Sequence, residues 1–325
     1  MPLTISNNSA VASASYYLDK NQKNLQQSIK RLASGKRIVG ANEDPGTLSV
    51  VMKLNAAVNR LSGAKNNVQN GISFVEIQDG VLETVGRIVG RMAELKGMAT
   101  QDPMKSSQDV ESYNNEFVDL QKQMFDISKQ TFNGVSLFAN FATDSSGAVT
   151  STKTQFKDST SADNTIEIFT SSEGSTGTKV SLYKSALLSA LTIDAGNLTT
   201  AQNSASGVTN SVFGLFRDSS ATLSGGAAEI SLNSTGLSMG VFEQAVANIA
   251  YLRAQTGGGM SRLNFAAESI SSMETNLRSA IGRIEDVDIA AESANLAKYS
   301  ILTQAAAAMV AQANSSTDLD FMLLR

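Results

Sequence analysis

The sequence "AIGRIEDVDIAAESANLAKYSILTQAAAAMVAQANSS" occupies residues 280–316 and has the composition of a long helix rich in alanine. Alanine has the highest helix propensity of any residue, but its side chain buries little apolar area. A helix of this kind cannot surround a hydrophobic core of its own. The stretch therefore predicts one long helix whose partners come from elsewhere in the chain and from other copies of it.

The composition excludes most catalytic chemistry. The 325-residue chain contains no cysteine and no histidine, and its formal net charge is -4. Without cysteine there can be no disulfide, no thiolate metal ligand and no thiol nucleophile. Without histidine, the commonest general base and the commonest metal ligand are missing as well. We therefore expect no enzymatic activity, no cofactor and no bound metal.

Two further features of the sequence limit the partners. Basic residues are dispersed rather than clustered, which gives no electrostatic surface for nucleic acid. No apolar run reaches the length that spans a membrane, and the first 22 residues lack the basic and apolar segments of a secretory signal peptide. We expect neither nucleic-acid binding nor membrane insertion.

Helical spacing dominates residues 10–140. The first run carries apolar residues at a heptad spacing and breaks at residues 34–36; its members are Val11, Leu18, Leu25, Ile29 and Leu32. The second run continues at Leu54, Val58, Leu61, Val68, Ile72, Val75 and Leu82, with the charged Lys65 and Asp79 in the same stripe. A third run begins after Asp102-Pro103, where Ser107 is the predicted N-cap, and its members are Val110, Tyr113, Phe117, Leu120, Met124 and Ile127. These patterns predict amphipathic helices with coiled-coil packing.

Residues 141–235 have a different composition. Serine, threonine, glycine and asparagine dominate this segment, and the helical period is lost. Residues 164–170 and 178–184 alternate apolar and polar side chains as strands do. We predict a small β-containing domain or a loop-rich insertion between the helical arms. Disorder is less favoured, because apolar residues such as Phe156, Ile166 and Leu182 supply anchors for a modest core.

The helical period returns from about residue 240. Apolar or alanine residues hold every stripe position from Leu263 to Ala294. Nine apolar residues of the C-terminal arm are predicted to take part in assembly, and the first helical run is predicted to take part with them. The nine are Ile284, Val287, Leu296, Ile301, Leu302, Met309, Val310, Leu323 and Leu324. This is the strongest periodic signal in the chain.

Each helical arm has one apolar face, so none is stable alone in water. The polar middle segment cannot cover these faces, so the C-terminal helix must return beside the N-terminal helices. We predict a mainly α fold, an antiparallel coiled-coil rod of long helices formed by both chain ends, with a small β-containing insertion in the middle. Roughly the first 40 and the last 40 residues are expected to order only on association. Spacing alone leaves open a closed ring, a bundle and a filament.

Two local patterns have ordinary structural interpretations. The glycine-bearing stretches at residues 46–50 and 257–261 lack the lysine and the strand context of a phosphate loop, so turns are expected there. Glu285, Asp286 and Asp288 radiate around the predicted helix. Solvated charges or pairs between subunits are favoured over a divalent-cation site.

Several motifs resemble those of bacterial flagellin. The sequence "LQQSIKRLASGKRIVGANEDPGTLSV" at residues 25–50 is similar to the N-terminal signature of that family, and "QTFNGVSLFA" at residues 130–139 is similar to the turn before its variable region. The sequence "NLRSAIGRIEDVDIAAESANLAKYSILTQAAAAMVAQAN" at residues 276–314 and the final "LLR" resemble its C-terminal signature. The motifs stand in the family's order and cover nearly all of residues 1–140 and 240–325.

The resemblance implies a structural subunit of the bacterial flagellar filament. Residues 1–44 and 285–325 would form an inner tube, residues 45–140 and 236–284 an outer core, and residues 141–235 a variable surface-exposed domain. It also implies export in an unfolded state by the flagellar type III apparatus and assembly outside the cell as a homopolymer. The implied partners are an export chaperone, the filament cap protein and the hook–filament junction protein.

Some flagellins also activate an innate immune receptor, and the resemblance places the corresponding patch at Arg91, Leu95 and Glu116. The residues that flank Arg91 and Leu95 depart from the family's pattern. In the alternative interpretation, Arg91 and Glu94 form a solvated pair three residues apart, and Leu95 packs in the core. The alternative interpretation is favoured.

Three other functions are weighed against the filament subunit. A hook–filament junction protein would share the terminal helices. A type III-secreted translocator or an adhesin would share the coiled-coil arms, and an enzyme would have to act without histidine or thiol. Electron microscopy of the purified protein would distinguish among them.

Overall fold

A computed structural model describes residues 9–101, 104, 106–139, 165–194, 212–217, 227–228, 231–232 and 237–323. Within these ranges the α-helices are Ser9–Ser34 (α1), Pro45–Gln101 (α2), Ser107–Ser128 (α3), Leu187–Ala190 (α4), Met239–Glu285 (α5) and Ile289–Leu323 (α6). The strands are Thr131–Phe132 (β1), Val135–Ser136 (β2), Thr165–Phe169 (β3), Lys179–Tyr183 (β4), Thr192–Asp194 (β5), Val212–Gly214 (β6) and Ala227–Ala228 (β7). Long helices at both ends and short strands between them confirm the predicted fold class.

The chain divides into two compact units, one of residues 1–59 with 273–325 and the other of residues 60–272. The division falls inside α2 and inside α5. We call residues 1–59 with 273–325 the terminal unit, and residues 60–272 the central unit. Of the helices in the described ranges, none has the length and apolar character needed to cross a membrane.

In the terminal unit, α1 and α6 lie side by side and run in opposite directions. The Gly35 carbonyl, just after α1, accepts a hydrogen bond from the Val287 amide, just before α6. Further back in α1, the side-chain amide of Asn21 donates to the Leu302 carbonyl of α6 at 3.5 Å. Residue numbers therefore rise along α1 as they fall along α6. This pairing of the two chain ends confirms the antiparallel arrangement expected from the sequence.

The core of the central unit is built from the apolar faces of α2, α3 and α5. Its buried residues include Leu61, Val68, Val75 and Leu82 of α2, Phe117, Met124 and Ile127 of α3, and Phe242, Ile249, Leu252, Leu263 and Ile270 of α5. Phe117 and Phe242 meet edge to face, with ring centroids 6.3 Å apart. Eight of the thirteen apolar residues in the two predicted runs are buried, and the other five are half-buried, namely Leu54, Ile72, Val110, Tyr113 and Leu120.

Helix α3 begins with a capping box formed by Ser106 and Asp109. The Asp109 amide donates to Ser106 Oγ at 3.3 Å, and the Ser106 amide donates to Asp109 Oδ2 at 3.1 Å. The predicted cap, Ser107, is wrong by one residue. A capping box needs a polar acceptor three residues after the cap, and Ser107 has Val110 at that place.

Strands β3 and β4 pair antiparallel, with Ile166 opposite Leu182. This pairing confirms the two strands predicted at residues 164–170 and 178–184. Strands β1 and β2 form a tight hairpin around Asn133 and Gly134, whose φ angles are 50° and 80°. Strand β6 pairs antiparallel with β5 and parallel with β7. The middle of the chain therefore carries strands, as the sequence predicts.

The β3–β4 hairpin packs against helix positions that lack a Cβ. A Cβ added at Gly71 of α2 would overlap Cδ1 of Ile168, and one added at Gly259 of α5 would lie 3.2 Å from Cδ2 of Leu182. Close approach of the hairpin explains why glycine occupies a helix interior, where it costs about 1 kcal/mol relative to alanine.

The turns predicted at residues 46–50 and 257–261 are wrong, because both stretches are helical. Residues 257–261 lie inside the continuous helix α5, and residues 46–50 lie in the first turns of α2. In α5, packing of the helix outweighs the low helix propensity of three consecutive glycines.

Replacing Gly71 with valine should destabilise the central unit. The added side chain overlaps Ile168 and approaches Leu263 Cδ1 at 3.3 Å, so the free energy of unfolding should fall by about 1–3 kcal/mol in urea denaturation. The control is Gly80→Ala in the same helix, where nothing lies within 4 Å of the new Cβ. That change should raise the free energy of unfolding by up to about 1 kcal/mol. Equal stability of Gly71→Val and wild type would contradict the close contact.

An ion pair joins α2 and α5 inside the central unit. Arg253 Nε donates to Asp79 Oδ1 at 2.8 Å and Arg253 Nη2 donates to Asp79 Oδ2 at 3.0 Å. This bidentate pair explains why the heptad stripe tolerates a charge at Asp79. The hydrogen bonds from Arg253 hold the pKa of Asp79 below its usual value, although partial burial acts in the opposite direction.

Replacing Arg253 with methionine should lower the free energy of unfolding by about 1 kcal/mol near pH 7, since both groups are partly exposed. Because the folded protein depresses the pKa of Asp79, this stabilisation is present above its unfolded value of about 3.9 and disappears as the pH falls further. Urea denaturation at pH 7 and at pH 3 measures both effects. The control is Arg87→Met, which replaces an exposed arginine of α2, the helix that carries Asp79, and it should change stability little. A loss for Arg253→Met that persists unchanged at pH 3 would contradict the ion-pair account.

A buried lysine holds the chain where it returns toward α5. Lys96 Nζ donates to the Leu232 carbonyl at 2.6 Å, and the Leu232 amide donates to Asn114 Oδ1 at 2.8 Å. Burial lowers the pKa of Lys96. Side chains of α2 and α3 thus fix both backbone groups of Leu232, which lies between β7 and α5.

Candidate assembly surface

Two helix breaks meet within the terminal unit. Helix α1 ends at Ser34 because Gly35 has a φ of 70°, a conformation that glycine adopts without strain. Helix α5 ends at Glu285, and the carbonyl of Glu285 accepts a hydrogen bond from the Arg37 amide at 2.6 Å. The Val287 amide donates in turn to the Gly35 carbonyl at 3.0 Å. The two breaks are therefore joined by backbone hydrogen bonds.

The single long helix predicted for residues 280–316 is consequently wrong at residues 286–288. Asp288 begins a new helix, because its Oδ1 accepts from the amides of Ala290 at 2.9 Å and Ala291 at 3.1 Å. The residues before it pair with the chain after α1 instead of continuing α5. The heptad stripe runs through this point without interruption, so periodicity alone does not reveal the break.

Two of the three carboxylates of this link have separate roles. Glu285 forms an ion pair with Lys36 at 2.5 Å, and Asp288 caps α6. In the described ranges, no group of three or more histidine, cysteine or acidic side chains is placed to hold a metal ion. The radiating arrangement around one helix is not observed, because Asp286 and Asp288 lie between α5 and α6.

A charged cluster, which we call the Arg31 cluster, consists of Gln27, Arg31, Glu43 and Glu292. Arg31 Nη2 lies 3.3 Å from Glu43 Oε2, and Arg31 Nη1 lies 3.8 Å from Glu292 Oε2. Gln27 Nε2 donates to Glu43 Oε1 at 2.9 Å. The cluster therefore links α1, the loop after it and the first turn of α6.

Glu43 is the acceptor at the centre of the Arg31 cluster. Burial alone would raise the pKa of Glu43, but hydrogen bonds from the Val39 amide, Gln27 and Arg31 together lower it. Arg31 Nε is buried and has no hydrogen-bond partner among the described residues. The carboxylates of Glu43 and Glu292, at 3.3 and 3.8 Å from the guanidinium, compensate part of the cost of its burial.

The paired helices of the terminal unit leave large hydrophobic side chains in solvent. Ile301 and Met309 of α6 are each 66% exposed, Leu302 is 38% exposed and Ile29 of α1 is 52% exposed. Tyr16 and Tyr17 of α1 and Ile289 of α6 are also exposed. We call these seven residues the exposed apolar surface. Apolar residues concentrated in this way on paired helices mark an interaction site.

The structure separates the predicted assembly stripe into two sets. Eight members are half-buried, namely Val11, Leu18, Leu25, Leu32, Ile284, Val287, Leu296 and Val310. Four members, Ile29, Ile301, Leu302 and Met309, are exposed. Leu323 lies at the end of α6 but its side chain is outside the described residues, as is all of Leu324. One partner helix covers one side of α6, so the stripe cannot be satisfied within the subunit.

Two features of the terminal unit are not evident from the sequence patterns. Tyr16 and Tyr17 are adjacent exposed aromatic residues whose rings meet edge to face, 5.6 Å apart, and their placement side by side was the available signal. The Arg31 cluster joins residues far apart in the chain, and no local pattern indicates that Arg31 and Glu292 meet.

The patch that the resemblance places at Arg91, Leu95 and Glu116 is assembled only in part at the surface. Arg91 Nε donates to Glu116 Oε1 at 2.8 Å, and Arg91 Nη1 donates to Glu94 Oε2 at 3.1 Å. Leu95 is fully buried. Arg91 therefore ties α2 to α3, and Leu95 packs in the core of the central unit. Recognition by an innate immune receptor stays a prediction.

Family comparisons agree with the motifs at both chain ends. The family profile for the bacterial flagellin N-terminal helical region matches residues 5–143, and that for the bacterial flagellin C-terminal helical region matches residues 239–321. The two matches together cover more than half of the chain. The chain belongs to the bacterial flagellin family. The predicted family is thereby confirmed, and the chain is a structural subunit of the flagellar filament.

Individual relatives match along almost the whole chain. The chain is 29% identical to the flagellin of Listeria monocytogenes over 93% of both chains. It is 27% identical to the flagellin of Bacillus subtilis, over 99% of this chain and all of the other, and 27% identical to the flagellar filament 30.7 kDa core protein of Treponema maltophilum. The crystal structure of Bacillus cereus flagellin matches 66% of this chain and 94% of its own, with a TM-score of 0.38 and 20% identity.

Proposed function

We propose that the protein polymerises into a helical filament through α1 and α6, whose exposed apolar surface is covered by the same helices of neighbouring copies. The observation that carries this proposal is the exposure of Ile29, Ile301, Leu302 and Met309 on helices that are already paired with each other. Alanine and serine around these residues allow helices of different copies to approach closely. Contacts that join different faces of each copy generate an open filament when the rotation between successive copies does not close a ring.

The terminal helices order on association in this proposal. Within one subunit, α1 and α6 bury few large side chains against each other, and many of their apolar residues remain half-buried or exposed. Burial of this size does not offset the conformational entropy of two long helices. Neighbouring copies supply the missing apolar area, so folding of the chain ends and growth of the filament are one coupled step.

We assign the segments of the chain by analogy with the family. Residues 1–44 and 285–325 form the inner tube, residues 45–140 and 236–284 the outer core, and residues 141–235 the outward-facing variable domain. The break between α5 and α6 at residues 286–288 supports a change of role near the boundary at residue 285.

Export precedes assembly. The subunit leaves the cell unfolded through the flagellar type III apparatus, and the absence of cysteine from the sequence is compatible with that route because no disulfide can form on the way. An export chaperone binds the C-terminal helix before export, and the cap protein and the hook–filament junction protein contact the assembling chain. The mature protein lies outside the cell, in the flagellar filament.

Seeded polymerisation tests the proposal. Purified full-length protein, mixed with short filament fragments, should grow into tubes of uniform diameter in electron micrographs. Discrete closed oligomers would contradict a non-closing contact and would favour a secreted translocator or an adhesin.

Removing residues 150–230 should leave polymerisation largely intact, because this segment lies outside α1 and α6. Pelleting assays and electron microscopy measure the yield of filaments. Complete loss of polymerisation would mean that the variable domain carries contacts between subunits.

A further inference from the structure

One methionine of the exposed apolar surface has a chemistry that the neighbouring side chains lack. The sequence contains 11 methionines; Met92 and Met124 are fully buried, whereas Met309 of α6 is 66% exposed. A thioether is apolar, but mild oxidants convert it to a polar sulfoxide. Reaction depends on access to the sulfur, so Met309 is open to oxidants in the subunit.

Met309 lies at a position of α6 where a more polar side chain would affect packing with another helix. Met309 lies seven residues after Leu302, which places both side chains on one face of α6, and both are exposed. The flanking residues 305–308 and 311 are all alanine. Met309 therefore contributes most of the apolar area that this part of the face can offer to another helix.

We propose that Met309 is an oxidation site of the free subunit, and that conversion of its thioether to the sulfoxide prevents the subunit from joining a filament. With hydrogen peroxide as the oxidant, the sulfur loses two electrons and gains one oxygen atom, the O–O bond breaks, and water leaves. The inference rests on the proposed function, because it requires copies to pack on the exposed apolar surface.

The alanine side chains next to the Met309 sulfur make a sulfoxide unfavourable in a contact between helices. A sulfoxide oxygen is a strong hydrogen-bond acceptor, and the adjacent alanine side chains have no donor to satisfy it. Burying such a group without a partner opposes association. In an assembled filament the sulfur is covered, so Met309 should be protected there and reactive only before assembly.

A partition experiment tests this on the wild-type protein. The purified subunit is oxidised with hydrogen peroxide to about half conversion of exposed methionine, treated with catalase, and polymerised from seeds. Mass spectrometry of peptides from pellet and supernatant should show Met309 sulfoxide depleted from the pellet by at least about tenfold. Met104 is 91% exposed and lies outside α1 and α6, so its sulfoxide should be distributed evenly. An even distribution of Met309 sulfoxide would overturn the inference.

Matched variants give a second, independent measurement. After the same treatment, Met309→Leu should polymerise at its untreated rate, whereas Met104→Leu should remain as sensitive as wild type. Oxidised Met309→Leu that stays inactive would overturn the inference, because another site would then be responsible.

Failure of the proposed function is distinguishable from failure of this inference. If the untreated wild type forms no filaments from seeds, the proposed function and this inference both fall. If untreated and oxidised wild type form filaments equally well, only this inference falls.

Discussion

Deletion of residues 1–35 should yield a soluble protein that no longer forms filaments. The deletion removes α1 together with Gly35, whose carbonyl accepts the hydrogen bond from the Val287 amide at 3.0 Å. Helix α6 loses its antiparallel partner, and Glu292 loses the guanidinium of Arg31 at 3.8 Å. A single alanine-rich helix with an apolar face is marginal in water. Seeded growth, followed by light scattering and electron microscopy, should therefore be abolished.

The truncated protein should still fold in its central unit. The buried core residues of α2, α3 and α5 between residues 60 and 272 are all retained. Urea denaturation followed by the near-ultraviolet signal of the tyrosines should show a cooperative transition similar to that of the full chain. Filament growth by the truncated protein at the rate of the full chain would contradict assembly through α1. Loss of the cooperative transition would mean that the central unit depends on the terminal helices.

The sequence predicts those parts of the fold that depend on local periodicity. The heptad residues Leu61, Val68 and Val75 of α2 and Phe117 and Met124 of α3 are buried as their spacing indicates. Each of these helices presents one apolar face to a core, so a single repeating pattern is sufficient to find it. The strands β3 and β4 were found in the same way, from alternation of side chains.

The parts that could not be predicted depend on contacts between distant residues. Gly259 lies inside a helix that the β3–β4 hairpin approaches closely through Leu182, and nothing within residues 257–261 indicates that hairpin. The break at residues 286–288 is stabilised by hydrogen bonds to Gly35 and Arg37, about 250 positions away in the chain. Local propensity favoured a turn in the first case and a helix in the second, and tertiary packing reversed both.

The candidate assembly surface was predicted as a set of residues but not as two faces. Heptad spacing groups Leu296 with Ile301 and Leu302, although α1 half-buries the first and leaves the other two exposed. Apolarity alone does not state whether the partner of a side chain lies in the same subunit or in the next one. The structure shows which of these side chains the subunit itself covers, and the exposed ones are the positions at which we expect a substitution to affect assembly more than folding.

Ile301→Asp should abolish assembly while leaving the subunit as stable as wild type. Ile301 is 66% exposed on α6, so an aspartate there is solvated in the free protein and costs little. In the proposed filament the same position is covered by another copy, so an ionised carboxylate there would lose its solvation. Loss of the isoleucine contact and burial of the charge together should weaken each subunit addition by about 3 kcal/mol or more. That corresponds to at least about a 100-fold fall in the equilibrium constant for growth.

Two controls separate this effect from a general effect of mutation or charge. Ile301→Val keeps a β-branched apolar side chain and should polymerise nearly as well as wild type. Tyr183→Asp introduces the same charge at an exposed position of β4, outside α1 and α6, and should also leave growth unchanged. The critical concentration for seeded growth is measured for each of the three variants and for wild type. If Ile301→Asp grew with the critical concentration of wild type, Ile301 would face solvent in the filament and the exposed apolar surface would not be the contact between copies.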